Sequence, residues 1–150
     1  MARVDYYAIE TQIQTILQAD ADLTGVMVTV EEELIFGAES TPWIGIYLDR
    51  RDAPSDLQRL SAGQQTTFIL AISIWCWEYS LDSLKKAIQL RDDLLGKTEV
   101  VLMKNRTLGG QVSKSWLEGG DMPSAKVPDS SAWLSGGEII LKAEVTSTTV

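Results

Sequence analysis

Apolar residues at Tyr6, Ile9, Ile13, Ile16 and Leu17 recur at three- and four-residue steps, with Glu10, Gln12, Gln14 and Gln18 filling the remaining positions. That spacing predicts an amphipathic helix from Asp5 to about Ala19, with Asp5 as its cap. Asp20-Ala21-Asp22 then releases the chain. Val26, Val28 and Val30 alternate with Met27 and Thr29, so 25–31 reads as a strand. Pro42 opens a second strand, Trp43 to Leu48, with Ile44, Ile46 and Leu48 on one face and Trp43, Gly45 and Tyr47 on the other. Gln64 to Tyr79 is the strongest strand pattern: Phe68, Leu70, Ile72, Ile74 and Cys76 alternate with Ile69, Ala71, Ser73, Trp75, Trp77 and Tyr79. Both faces are apolar, as in a central strand covered by helix on one side and by something else, such as another subunit, on the other.

Ser80 is positioned to cap a second helix that ends at Gly96, with Leu81, Leu84, Ala87, Ile88, Leu94 and Leu95 inward. Asp92 and Asp93 would then sit near its C-terminal end, where the dipole disfavours anions and Lys97 offers compensation. Val100 to Met103 fits a short strand or a helical tail. Glycine pairs at 109–110, 119–120 and 136–137 bracket a strand from Gln111 to Glu118, a flexible polar loop over about 119–135 and a last strand from Glu138 to Val145. The expected fold is α+β: one domain over 1–150, a mixed or antiparallel sheet with two helices on one face, in the order α-β-β-β-α-(β)-β-β.

Composition narrows the chemistry. The 150 residues include one cysteine and no histidine, so an intrachain disulfide, a thiolate metal cluster and every nucleophile that relies on imidazole drop out. Cys76 reads as a small core hydrophobe. No carboxylate spacing matches a calcium loop or a paired acid and base, and no glycine pair carries a phosphate-loop pattern. The chain is therefore expected to be neither an enzyme nor a holder of metal or cofactor. No apolar run is long enough to span a bilayer and no secretory leader opens the chain, so a cytoplasmic, membrane-free protein is expected.

The net charge of −8 is concentrated: residues 1–48 carry −7, 49–63 balance, 64–107 carry +1 and 108–150 carry −2. Such a surface does not grip duplex DNA, although DNA could slide past it. Glu31, Glu32, Glu33 and Glu39 are candidates for an acidic lining, the alternative being a solvated strand end or turn. Trp75, Trp77 and Tyr79 share a strand face and serve either a helix-covered core or a subunit interface. The segment 49–63 is expected to be an exposed arm, in which Arg50, Arg51, Asp52 and Arg59 offer polar contacts and Leu57 and Leu60 apolar anchors for a partner.

Three stretches carry a family resemblance: Ile9-Glu10-Thr11-Gln12-Ile13-Gln14-Thr15-Ile16-Leu17, the passage Ile72 to Leu81, and Glu138 to Val145. With the chain's size and element order they make it similar to the tail terminator proteins of long-tailed bacteriophages, of the lambda-like minor tail protein U type. The resemblance implies a non-enzymatic virion protein, assembled in the host cytoplasm, that closes into a six-membered ring on the tail tube. That ring stops tube growth and joins the head or neck, and DNA passes through it without specific binding. Its partners would be copies of itself, the tail tube protein and a head-completion or neck protein. Other neck components, such as head-completion or adaptor proteins, and a small binding domain from outside phage are the competing expectations.

Overall fold

The computed structural model describes residues 4–33, 41–52, 65–128 and 130–148. Helix α1 (Tyr6–Ala19) starts where Asp5 Oδ1 accepts from the Ala8 N–H at 3.0 Å, as its spacing predicts. A short 3-10 turn, Ala21–Leu23, leads into strand β1 (Met27–Val30), and β2 (Trp43–Asp52) and β3 (Gln65–Ser80) follow. Helix α2 (Leu84–Lys104) precedes β4 (Lys114–Glu118), β5 (Ser124–Lys126) and β6 (Trp133–Thr148). The sheet runs β1-β2-β3-β6-β4, with β5 also paired to β6. β1 is parallel to β2 and the remaining pairs are antiparallel. This is the expected α+β domain with a mixed sheet.

Both helices lie on one side. Ile9, Ile13 and Leu17 of α1 and Leu94, Val101 and Leu102 of α2 share a core with Ile44, Ile46, Leu70, Ile72, Ile74, Cys76, Ile139 and Leu141. Apolar burial of this kind contributes about 25 cal/mol per Å² and sets which sheet face the helices take. Directly paired residues share a face, so Ile74 opposite Ile46 and Ile139 continues one apolar row across three strands.

Four sequence expectations need correction. Helix α2 begins later and ends later: Ser83, not Ser80, caps it by accepting from the Lys86 N–H at 3.1 Å, and it runs through Gly96. The buried stripe Ala87, Arg91, Leu94, Thr98, Val101 and Leu102 keeps its helical period across the glycine, which costs only about 1 kcal/mol relative to alanine. Leu81 precedes the helix and is exposed, Leu84 is exposed too, and 100–103 is helical tail. Asp92 and Asp93 are consequently mid-helix, and Asp93 pairs with Lys97 at 2.9 Å.

The second correction concerns the arm, because Asp49–Asp52 belong to β2, which continues past a bulge between Leu48 and Arg50 to pair with Ile69–Ala71. Third, β4 begins at Lys114 after tight turns in which Leu108, Gly109 and Gly110 all have positive φ. Fourth, the expected loop over 119–135 holds β5 and the start of β6. There the Gly136 and Glu138 N–H groups donate to Pro123 and Asp121 carbonyls at 2.8 Å each. The pair Gly136-Gly137 lies inside a strand instead of ending one.

Candidate functional site

The sheet face opposite the helices is built from alternate residues of β2, β3, β6 and β4. Trp75 is half-buried and faces Gly45 across β2, while Trp77, also half-buried, faces Gly136 across β6. A Cβ added at Gly136 would enter the Trp77 ring, and one at Gly45 would stand 2.8 Å from the Tyr47 ring. The glycines thus make room for aromatic rings to lie flat on the sheet, a reason for glycine inside strands that turn punctuation does not supply. The Trp75 and Trp77 rings stack with centroids 5.4 Å apart and an interplanar angle of 15°. Trp43, next to Trp77 on the same face, is almost fully buried and donates its Nε1 proton to Thr29 Oγ1 at 2.8 Å.

Tyr47, Trp75 and Trp77 bound an open bay of about 380 Å³ whose remaining walls are Glu32 and Glu33. The Tyr47 hydroxyl donates to the Glu32 carbonyl at 2.6 Å, tying the ring to the end of the β1 connection. Burial, with Glu31 and Glu32 adding negative charge, raises its pKa above the ordinary phenol value, so it is neutral and donates at physiological pH. At the other end of this face Trp116 on edge strand β4 is 38% exposed. Among the described residues no helix packs on this side. Among the described residues neither Trp75 nor Trp77 is covered by α1 or α2, which share the core on the other face. Tyr79 is half-buried on the same strand opposite Leu134, and it does not line the bay.

The remaining candidates separate. Glu31, Glu32 and Glu33 follow β1 and are exposed, and Glu39 lies outside the described residues. Arg50 pairs with its neighbour Asp52 at 2.6 Å on the surface. Arg51 is committed to its own chain: its guanidinium lies 4.8 Å from the Phe68 ring centre and 5.4 Å from that of Tyr6, and it donates to the Tyr6 hydroxyl at 2.6 Å. From an exposed position it latches α1 to the sheet. Leu57, Arg59 and Leu60 lie outside the described residues.

Among the described residues, two buried charged groups escape the sequence reading. Glu10, counted there among the polar positions of the first helix, is only 3% exposed. It sits three residues before Ile13 and seven before Leu17, on their stripe, which is the signal that locates it. Glu10 Oε1 is buried without a hydrogen-bond partner. Burial, with the adjoining Glu31 carboxyl, lifts its pKa to about 8. Glu31 itself has φ 54° and accepts from the Leu48 N–H at 2.8 Å, holding the strand just before the bulge. The second is Arg91, buried under α2, which donates to the Gly136 carbonyl at 3.0 Å and to Asp92 Oδ1 at 2.7 Å.

Cys76 is fully buried beside Thr98 Oγ1 at 3.6 Å, and burial pushes its thiol up to about 12. It is inert, as expected of a core hydrophobe. Among the described residues no cluster of three or more cysteine or carboxylate side chains could hold a metal ion, and no helix is long and apolar enough to cross a membrane. Compared with known proteins, the chain matches no protein-family model and no curated protein.

Proposed function

We propose that the chain is a structural assembly protein of the phage tail-terminator type, which acts by covering its sheet with copies of itself and of its neighbours. One observation carries this reading: the two helices cover a single sheet face, and the opposite face presents Tyr47, Trp75, Trp77 and Trp116 with no helix over it among the described residues. A monomeric fold of this size gains stability by burying such rings, whereas subunit interfaces are enriched in tryptophan and tyrosine. The outer edges of β1 and β4 add unpaired backbone groups among the described strands, and head-to-tail pairing at such edges closes rings.

Size-exclusion chromatography with light scattering, run over a range of salt and protein concentration, tests it. Assembly predicts masses above the 16.5 kDa protomer that grow with concentration. A protomer mass throughout, together with failure to bind tail tubes, defeats the proposal. A second terminator-like role, as head-completion or adaptor protein, makes the same mass prediction and differs in binding the neck instead of the tube.

A further inference from the structure

We infer that the seam between α1 and β1 is a pH-sensitive latch, closed while a proton lies between the Glu10 and Glu31 carboxyls and opened at the end of β1 when that proton leaves. Tyr6, Glu10 and Gln14 stand four residues apart on one line of α1. Each makes a polar contact across the seam. Arg51 of β2 donates to the Tyr6 hydroxyl at 2.6 Å, Gln14 Nε2 donates to the Val28 carbonyl of β1 at 2.9 Å, and between them Glu10 meets Glu31. The two outer contacts join a donor to an acceptor and hold at any pH near neutrality. The middle one joins two acids and needs a proton to be attractive.

Burial decides which side yields. Glu10 is almost fully buried and its Oε1 has no hydrogen-bond partner, so an anion there would have neither water nor a donor. Helix α1 is fixed by Ile9, Ile13 and Leu17 in the core. Glu31 is exposed, follows β1 and has φ 54°, a backbone conformation that a residue other than glycine keeps only where its contacts hold it. Those contacts are its N–H to the Ile46 carbonyl at 2.9 Å and its Oε1, which accepts from the Leu48 N–H at 2.8 Å. Loss of the proton sets two carboxylates against each other, and Glu31 is the one free to swing outward and admit water. No neighbouring cation offsets the charge: no salt bridge among the described residues involves Glu10 or Glu31. On β2, Tyr47 and Asp49 adjoin Glu31. Burial raises the pKa of both, followed by Glu31 and Glu32 for Tyr47 and by Glu138 and Glu31 for Asp49, and neither can supply a counter-charge. Of the other elements packed on α1, α2 turns Lys97 to its own Asp93, and the 3-10 turn carries the acid Asp22.

The latch lies within α1, β1 and β2 of one chain and does not depend on assembly. The test is an NMR titration of the ¹³C,¹⁵N-labelled full chain from pH 6 to pH 9, reading the Glu10 side-chain carboxyl carbon and the exchange protection of backbone amides. Protection is taken at each pH relative to the rate of an unstructured chain. Glu10 should titrate at about 8. Across that midpoint the Leu48 amide should lose about tenfold or more in protection, while amides of β3 paired with β6 keep theirs. Glu10→Gln should retain the Leu48 protection at pH 9. So should Glu31→Gln, whose side-chain amide can accept from Leu48 and donate to Glu10, and this second variant serves where the first does not fold. A Glu10 carboxyl that titrates in the ordinary acid range overturns the inference, as does Leu48 protection that is constant through the Glu10 midpoint. Equal loss in the glutamine variants removes the carboxyl pair as its cause, and equal loss over β3 and β6 shows the whole chain opening instead of the seam.

Discussion

Replacing Glu10 by glutamine isolates one buried carboxyl. In the folded chain its pKa stands at about 8 against an ordinary 4.5, because burial and the neighbouring Glu31 both penalise the anion. Between those two pH values the folded state holds a proton that the unfolded chain releases. Stability is therefore complete below pH 4.5 and falls as pH rises through 8. Each tenfold difference in proton affinity corresponds to about 1.4 kcal/mol. The wild type should therefore lose stability between pH 5 and pH 9, by at most a few kcal/mol, through the coupled Glu10–Glu31 pair. Glu10→Gln keeps the size of the neutral acid and removes the proton, so the difference between variant and wild type cancels what the other groups contribute. Urea unfolding followed by tryptophan fluorescence at each pH measures it. The variant should be within about 1 kcal/mol of wild type at pH 5 and more stable by a few kcal/mol at pH 9. A constant gap across that range, or a wild type as stable at pH 9 as at pH 5, would mean that Glu10 is not held protonated in the fold.

Three further perturbations probe the packing. Gly136→Val drives a branched side chain into the Trp77 ring and should cost about 1–3 kcal/mol in urea unfolding; a neutral effect would show that the ring does not need the gap. Arg91→Met removes the donor to the Gly136 carbonyl and should destabilise by about 1–3 kcal/mol, with a stabilised variant contradicting the assignment of that bond. Cys76, with its thiol buried and lifted to about 12, should resist a disulfide exchange reagent at neutral pH until denaturant unfolds the chain, and rapid reaction of the folded protein would place the thiol at the surface instead.

The long-range features of the fold were legible where periodicity was strict. Ile9, Ile13 and Leu17 mark the helix face, and the alternation from Phe68 to Trp77 marks both the strand and its two apolar sides. Boundaries failed where local punctuation competed with tertiary burial. Ser80 and Gly96 carry cap chemistry, yet Ser83 is the residue used and the stripe through Thr98 and Val101 holds the helix beyond the glycine. Asp49 to Asp52 read as a polar arm because charges dominate them, whereas the bulge after Leu48 turns Arg51 onto Tyr6 and Phe68. The tryptophan face was visible as an alternation, but the bay was not. Its walls come from β2, β3 and the end of β1, and only the register that sets Trp75 opposite Gly45 brings them together. Glu10 was hidden by its polarity although its helical position places it in the core stripe.

If other subunits cover the tryptophan face, as proposed, electron microscopy of tail tubes mixed with the chain will show it. Wild-type protein should appear as rings on tube ends and halt further tube growth, while a folded Trp75→Glu variant should leave the ends bare. Bare ends with the wild type, or capping by the Trp75→Glu variant as efficient as that of the wild type, would contradict it.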